Sequence, residues 1–307
     1  MKPGPFCFCK SAFLFGFPAQ ITYTFNLPMT RLEQILAVTR GRLTLAKQQA
    51  NMRLLEQMAE SHRPRGFRRR LSAMSQTSPA VIAELKKASP SKGVIRKHFA
   101  VDVLATQLAQ AGASALSVLT DDQFFQGSLA NLLEASAVTD VPCLRKDFIV
   151  DEFQVLEAKA YHADAILLIL AALDDAEFRH LHARARSLGL DALCEVHDDN
   201  ELKRALDGGA DIIGVNSRDL RTFEVKLETL QELALKIPSS TLRIAESGIA
   251  KGAEIRELYD FGYQAFLIGE TLMRAEDPGK KLRQLLEEAG FYPPLTTASA
   301  DWRGTIH

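Results

Sequence analysis

Little in this chain speaks for metals, membranes or nucleic acid. Only 4 of its 307 residues are cysteine. Cys7, Cys9, Cys143 and Cys194 form neither CxxC pairs nor a dense disulfide framework, which excludes a zinc ribbon and a stapled secreted domain. Cys143 and Cys194 lie in apolar, strand-like runs, where a free thiol packs as a small hydrophobe, and a reducing compartment is expected. No apolar run is long enough to cross a bilayer. The formal net charge of −1 lacks the basic excess of a dedicated nucleic-acid binder. A soluble, cytoplasmic protein with no membrane or nucleic-acid partner is expected. No Gly-rich dinucleotide turn follows the first strand, which argues against a doubly wound nucleotide fold.

The first 28 residues lack any acidic side chain and any arginine. They lack the Arg-rich character of a transit peptide, and Gly16 and Pro18 break the apolar stretch a signal peptide needs. Residues 1–28 are read as a disordered or mis-started tail that catalysis does not need. Plastid targeting is the alternative.

What is present is rhythm. Residues 29–75 carry Leu32, Ile35, Leu36, Leu43, Leu54, Leu55 and Met58 at helical spacing, predicting one or two amphipathic helices. "RPRGFRRR", residues 63–70, reads as a solvated cationic linker, with a rim that attracts an anionic substrate as the alternative. From residue 81, short apolar runs recur at 81–85, 115–119, 141–145, 165–169, 191–196, 212–216, 242–247 and 265–269. Helical segments separate them, and Gly112, Gly189, Gly208 and Gly262 stand where helices should stop. Continuous apolar strands are what a helix-covered parallel sheet requires. Eight strand–helix units over residues 76–290 predict a (β/α)8 barrel with an N-terminal helical extension capping it, and 291–307 as a tail.

In such a barrel, chemistry belongs at the C-terminal strand ends. There the sequence places Glu84 and Lys86, two apart and so on one strand face, followed by Ser89-Pro90. Further round stand Phe125, the neighbours Lys146 and Asp147 on a loop, Glu195, and Asn216 with Arg218 and Asp219. Glu246-Ser247-Gly248 and Gly269-Glu270 close the last two strands, where barrels hold a phosphate with backbone N–H groups. Each has a bland counterpart: Glu84 with Lys86 as a structural ion pair, Lys146 with Asp147 as solvated charge, Arg218 with Asp219 as a loop pin. His197, beside Asp198 and Asp199, is read as structural.

The strings "AELKKASPSKG", "LTDDQFFQGS", "LRKDFIVDEFQV", "EVHDDNEL", "IIGVNSRDL", "AESGI" and "FLIGETLM" carry a resemblance. Over roughly residues 30 to 290 the chain resembles the indole-3-glycerol phosphate synthases of tryptophan biosynthesis. The resemblance implies closure of 1-(2-carboxyphenylamino)-1-deoxyribulose 5-phosphate to an indole, with loss of carbon dioxide and water. It implies Lys146 as general acid, Glu195 and Glu84 sharing the dehydration in an unassigned order, and Lys86 on the phosphate. Asn216, Ser247 and Glu246 would position substrate, while Phe125, Pro90 and Arg218 would surround the anthranilate part. It implies no cofactor, no metal, and a small phosphosugar as the only partner, with the chain a monomer or weak homo-oligomer. A phosphoribosylanthranilate isomerase-like barrel would share the phosphate end but not the Lys146–Glu195 combination. A binding-only barrel would have no use for a proton-donating lysine.

Overall fold

The protein is described here by a computed structural model covering residues 29–218 and 227–291. The readings placed on Cys7, Cys9, Asp219 and the two tails lie outside those residues. Eight parallel strands close into a barrel: β1 (Ala80–Leu85), β2 (Ala115–Leu119), β3 (Cys143–Lys146), β4 (Ala165–Ile169), β5 (Asp191–Val196), β6 (Ile212–Asn216), β7 (Leu242–Glu246) and β8 (Ala265–Ile268). Closure is made by β1 against β8, with Ala80 opposite Ala265 and Ile82 opposite Leu267. The third strand starts two residues later than its apolar run suggested, because Pro142 has no N–H to give a ladder. Helix stops fall at Gly112, Gly189 and Gly262 with positive φ, but Gly209 takes that conformation in place of Gly208.

Side-chain parity explains both the core and the site. Ala80, Ile82, Leu144, Leu193, Ile212, Leu242 and Ile244 point inward and form one apolar cluster. Val81, Ala83, Leu116, Cys143, Ile166, Cys194 and Ile213 point outward, under the helices, in another. Both faces are buried, which is why the strands read as unbroken apolar runs. Continuing the inward parity in steps of two gives Glu84 then Lys86, Lys146, Glu195, Asn216 (past Gly214) and Glu246. The polar groups are therefore the top layer of the same interior.

Ahead of β1 come three helices, α1 (Arg31–Gln49), α2 (Met52–Ser61) and α3 (Phe67–Met74). Thr30 starts α1 with a capping box, its hydroxyl accepting from the Glu33 N–H while Glu33 accepts from the Thr30 N–H. Arg40 pairs with Glu177 at 3.2 Å and Lys47 with Asp151 at 2.8 Å, tying α1 across loops at the C-terminal mouth. Ile35 is buried there and joins the interior cluster beside Phe125 and Phe148.

The reading of 63–70 as a solvated linker is corrected. Arg65 donates from Nη2 to Asp164 Oδ2 at 2.6 Å and to Ser136 Oγ at 2.8 Å, and from Nη1 to the Thr139 carbonyl at 2.9 Å. Arg68 donates its backbone N–H to Asp191. Phe67 and Leu71, one helical turn apart, are fully buried among the inward residues and plug the N-terminal mouth. Five arginines in eight residues hid an apolar pair whose barrel partners are distant in sequence.

Candidate active site

At the C-terminal mouth lies a cavity of about 440 Å³. Its wall includes Glu84, Lys86, Ser89, Pro90, Phe125, Lys146, Glu195, Asn216, Arg218, Glu246, Ser247, Gly248, Gly269 and Glu270, so the residues expected to act on or bind substrate all reach one space. Sequence reasoning gave no role to the apolar wall of Phe148, Leu167, Ile169 and Leu267. Of these, Leu167, Ile169 and Leu267 follow from inward parity along β4 and β8.

Lys146 is the hub. It ends β3 rather than standing on a loop, and its ammonium donates to Glu195 Oε2 at 2.8 Å and lies 3.4 Å from Glu246 Oε2. Asp147 is not its partner: that carboxylate accepts from Thr120 at 2.6 Å and from Arg145 at 3.0 Å, bracing the loop from behind. Burial disfavours the Lys146 charge, but Glu195, Glu246 and Glu84 more than offset this and hold its pKa above the usual amine range. Glu84 and Lys86 pair at 2.5 Å, both facing the cavity.

The carboxyls differ sharply. Burial alone would raise Glu195, yet the Lys146 and His197 charges and hydrogen bonds from Lys146 and Asn216 hold it down at about 2. Asn216 Nδ2 donates to Glu195 Oε1 at 3.1 Å. Burial pushes Glu246 up to about 8, reinforced by Glu195 and Glu84 against the opposing pull of Lys146. One carboxylate is thus driven toward the anion and its neighbour toward the protonated form. Such divergent pairs can divide base and acid work.

Two glycines leave room for this chemistry. A Cβ on Gly214 would come 2.0 Å from Glu246 Oε1, and one on Gly269 would come 2.2 Å from Glu84 Oε1. Ser247 has φ 69° and Gly248 φ 77°, a left-handed pair that strains Ser247. Ser217 Oγ donates to the Glu246 and Ser247 carbonyls, and Thr271 Oγ1 to the Ile249 carbonyl, holding that turn against the start of the Glu270–Arg274 helix.

The Glu246 shift has a stability consequence. Its folded pKa lies above the unfolded one, so its contribution is complete below about 4.5 and is lost as pH rises through about 8. Glu246→Gln should remove that loss. Its melting temperature should fall less between pH 6 and 9 than that of the native chain; parallel curves would show that Glu246 is ionised throughout.

Comparison with known proteins adds the following. Residues 32–285 match the family model for indole-3-glycerol phosphate synthase. An indole-3-glycerol phosphate synthase of Koribacter versatilis is 55% identical over 255 residues, covering 83% of this chain and 98% of that protein. One from a Polaromonas species is 48% identical over 256 residues, covering 83% and 97%. Among solved structures, 3-hexulose-6-phosphate synthase from Salmonella typhimurium superposes with a TM-score of 0.55 at 14% identity, covering 68% of this chain and 97% of the other. That likeness shows the fold alone.

Proposed function

The chain belongs to the indole-3-glycerol phosphate synthase family and is a carboxy-lyase of tryptophan biosynthesis acting on a phosphosugar, and on that premise we propose how its residues divide the work. The observation that carries the proposal is Lys146 held between Glu195 and Glu246 in the cavity. Lys146 protonates the substrate carbonyl oxygen as the aromatic carbon attacks. The oxygen becomes alkoxide-like and more basic than an amine, so even a strongly held ammonium proton transfers. Carbon dioxide then leaves from the ring carbon and its electron pair restores the ring. Glu195 and Glu84 share the dehydration, which expels water and completes the indole.

Lys86, Ser247, Gly248, Gly269 and Glu270 form the phosphate end, where the ammonium and backbone donors meet a dianion. Pro90, Phe125 and Arg218 take the anthranilate part, with Ser89 beside Pro90, while Asn216 fixes Glu195. We also assign a monomer or weak homo-oligomer in a reducing cytoplasm. Exposed apolar residues such as Val94, Val138, Leu235 and Phe261 stand on separate elements, and Cys143 and Cys194 are buried free thiols. No helix among the described residues is long and apolar enough to cross a membrane.

The test is direct. The purified chain, given the carboxyphenylamino deoxyribulose phosphate, should form an indole product, and inorganic phosphate should compete. Lys86→Ala should raise the apparent substrate constant. Unchanged affinity in that variant, with no competition by phosphate, would remove Lys86 from the phosphate end.

A further inference from the structure

His197 follows β5 and does not line the cavity. Its Nδ1 lies 3.0 Å from Glu201 Oε2, which also accepts the His197 backbone N–H at 2.9 Å. Its Nε2 lies 3.4 Å from Glu195 Oε1, is buried, and has no hydrogen-bond partner. An anionic Glu201 needs a proton on Nδ1. If the ring were neutral, Nε2 would then aim a lone pair at the Glu195 anion. The imidazolium resolves this: Nδ1–H serves Glu201 and Nε2–H faces Glu195.

We propose that His197 is a positively charged positioning residue that holds Glu195 ionised and oriented from behind. Glu195, Glu201 and Glu246 face the ring from β5, from the Asp199–Asp207 helix and from β7, and Lys146 lies beyond Glu195. Asp198 is turned away, accepting from the Glu201 N–H as the helix cap. Burial disfavours the imidazolium, but the Glu201 hydrogen bond and the Glu195 and Glu201 charges outweigh it, leaving His197 above its usual pKa. The consequence appears within a turnover. When Lys146 gives up its proton, Glu195 loses its nearer positive charge while His197 keeps the farther one. Glu195 therefore stays an anion ready to take a proton in dehydration.

This inference rests on the role given to Glu195, which loss of turnover in Glu195→Gln checks separately. His197 itself is tested by two readouts. Ring nitrogen shifts should report an imidazolium at pH 7.5 in the native chain; a neutral ring protonated on Nδ1 would overturn the proposal. In His197→Gln, the acidic limb of kcat should lie about 1–3 pH units above that of the native chain, the usual effect of removing an opposite charge at this range, while KM changes little. Superimposable profiles would reduce His197 to packing, even if the melting temperature fell. Should His197→Gln fail to fold, Glu201→Gln keeps the backbone acceptor and removes the charge behind the ring. Its imidazole should deprotonate at lower pH than in the native chain, and turnover should fall with it. An unmoved imidazole titration in that variant would also overturn the proposal.

Discussion

Lys146→Ala is expected to lower turnover by about a hundredfold to ten-thousandfold, the range for removing a general acid. Affinity for a product analogue should change far less if, as proposed, the anchoring charge is Lys86 at the phosphate end. Lys146→Arg should not restore the rate, since a guanidinium keeps its proton too strongly to donate it. The geometry also changes what to expect of stability. A lysine on a loop could be shortened at little cost, but this one ends a strand and is paired with buried Glu195. Breaking a buried pair from one side typically costs about 3–5 kcal/mol. The melting temperature should therefore fall, and turnover must be compared where both proteins are folded. Removing the ammonium also lets Glu195 climb from about 2, so the stability gap should narrow as pH falls. Turnover within a few-fold of native in the folded alanine variant would move the acid elsewhere.

Arg65→Ala should be among the most destabilising single changes outside the active site. Asp164 is fully buried, and Arg65 reaches it through the side chain at 2.6 and 2.9 Å and through its backbone N–H at 2.6 Å. The Cys143 N–H also donates to that carboxylate, and His62 Nε2 lies 3.4 Å away. Losing the guanidinium takes from the buried anion its permanent charge partner, leaving backbone N–H groups and His62, and leaves the Ser136 and Thr139 groups without their donor. A cost of about 3–5 kcal/mol follows, roughly 6–20 °C in melting temperature for a domain somewhat smaller than this one. Arg65→Lys should recover only part, because an ammonium cannot serve carboxylate, hydroxyl and carbonyl from one planar fork. At 25 °C the folded variant should keep its turnover within a few-fold, since the contact lies at the opposite mouth from the cavity. A change of less than 2 °C would show that Asp164 finds its donors elsewhere.

The sequence disclosed the barrel and the site for one reason: period two. Ala80, Ile82, Glu84 and Lys86 lie on one line, and the same step along β3, β5, β6 and β7 carries apolar residues into Lys146, Glu195, Asn216 and Glu246. Local order was enough to place each at the functional rim. Pairing was not legible, because it depends on closure. Lys146 chooses Glu195, 49 positions away, over adjacent Asp147. Arg65 finds Asp164 across 99 positions. His197 looked structural because its role depends on Glu195, two residues back along the same strand, together with Glu201, a turn into the next helix. Only the backbone path shows that both carboxylates address one ring.

The plug at the N-terminal mouth sets a schedule. Phe67 and Leu71 leave the ribosome early, yet the ring of inward residues they fill is incomplete until Ala265 and Leu267 have been made. At about 5–20 residues per second that interval is roughly 10 to 40 s. During it a cationic helix carries two large apolar side chains with no finished socket. The arginines around them then serve the nascent chain as well as the folded one. They keep the segment hydrated and self-repelling while it waits, and Arg65 and Arg68 become anchors once Asp164 and Asp211 arrive.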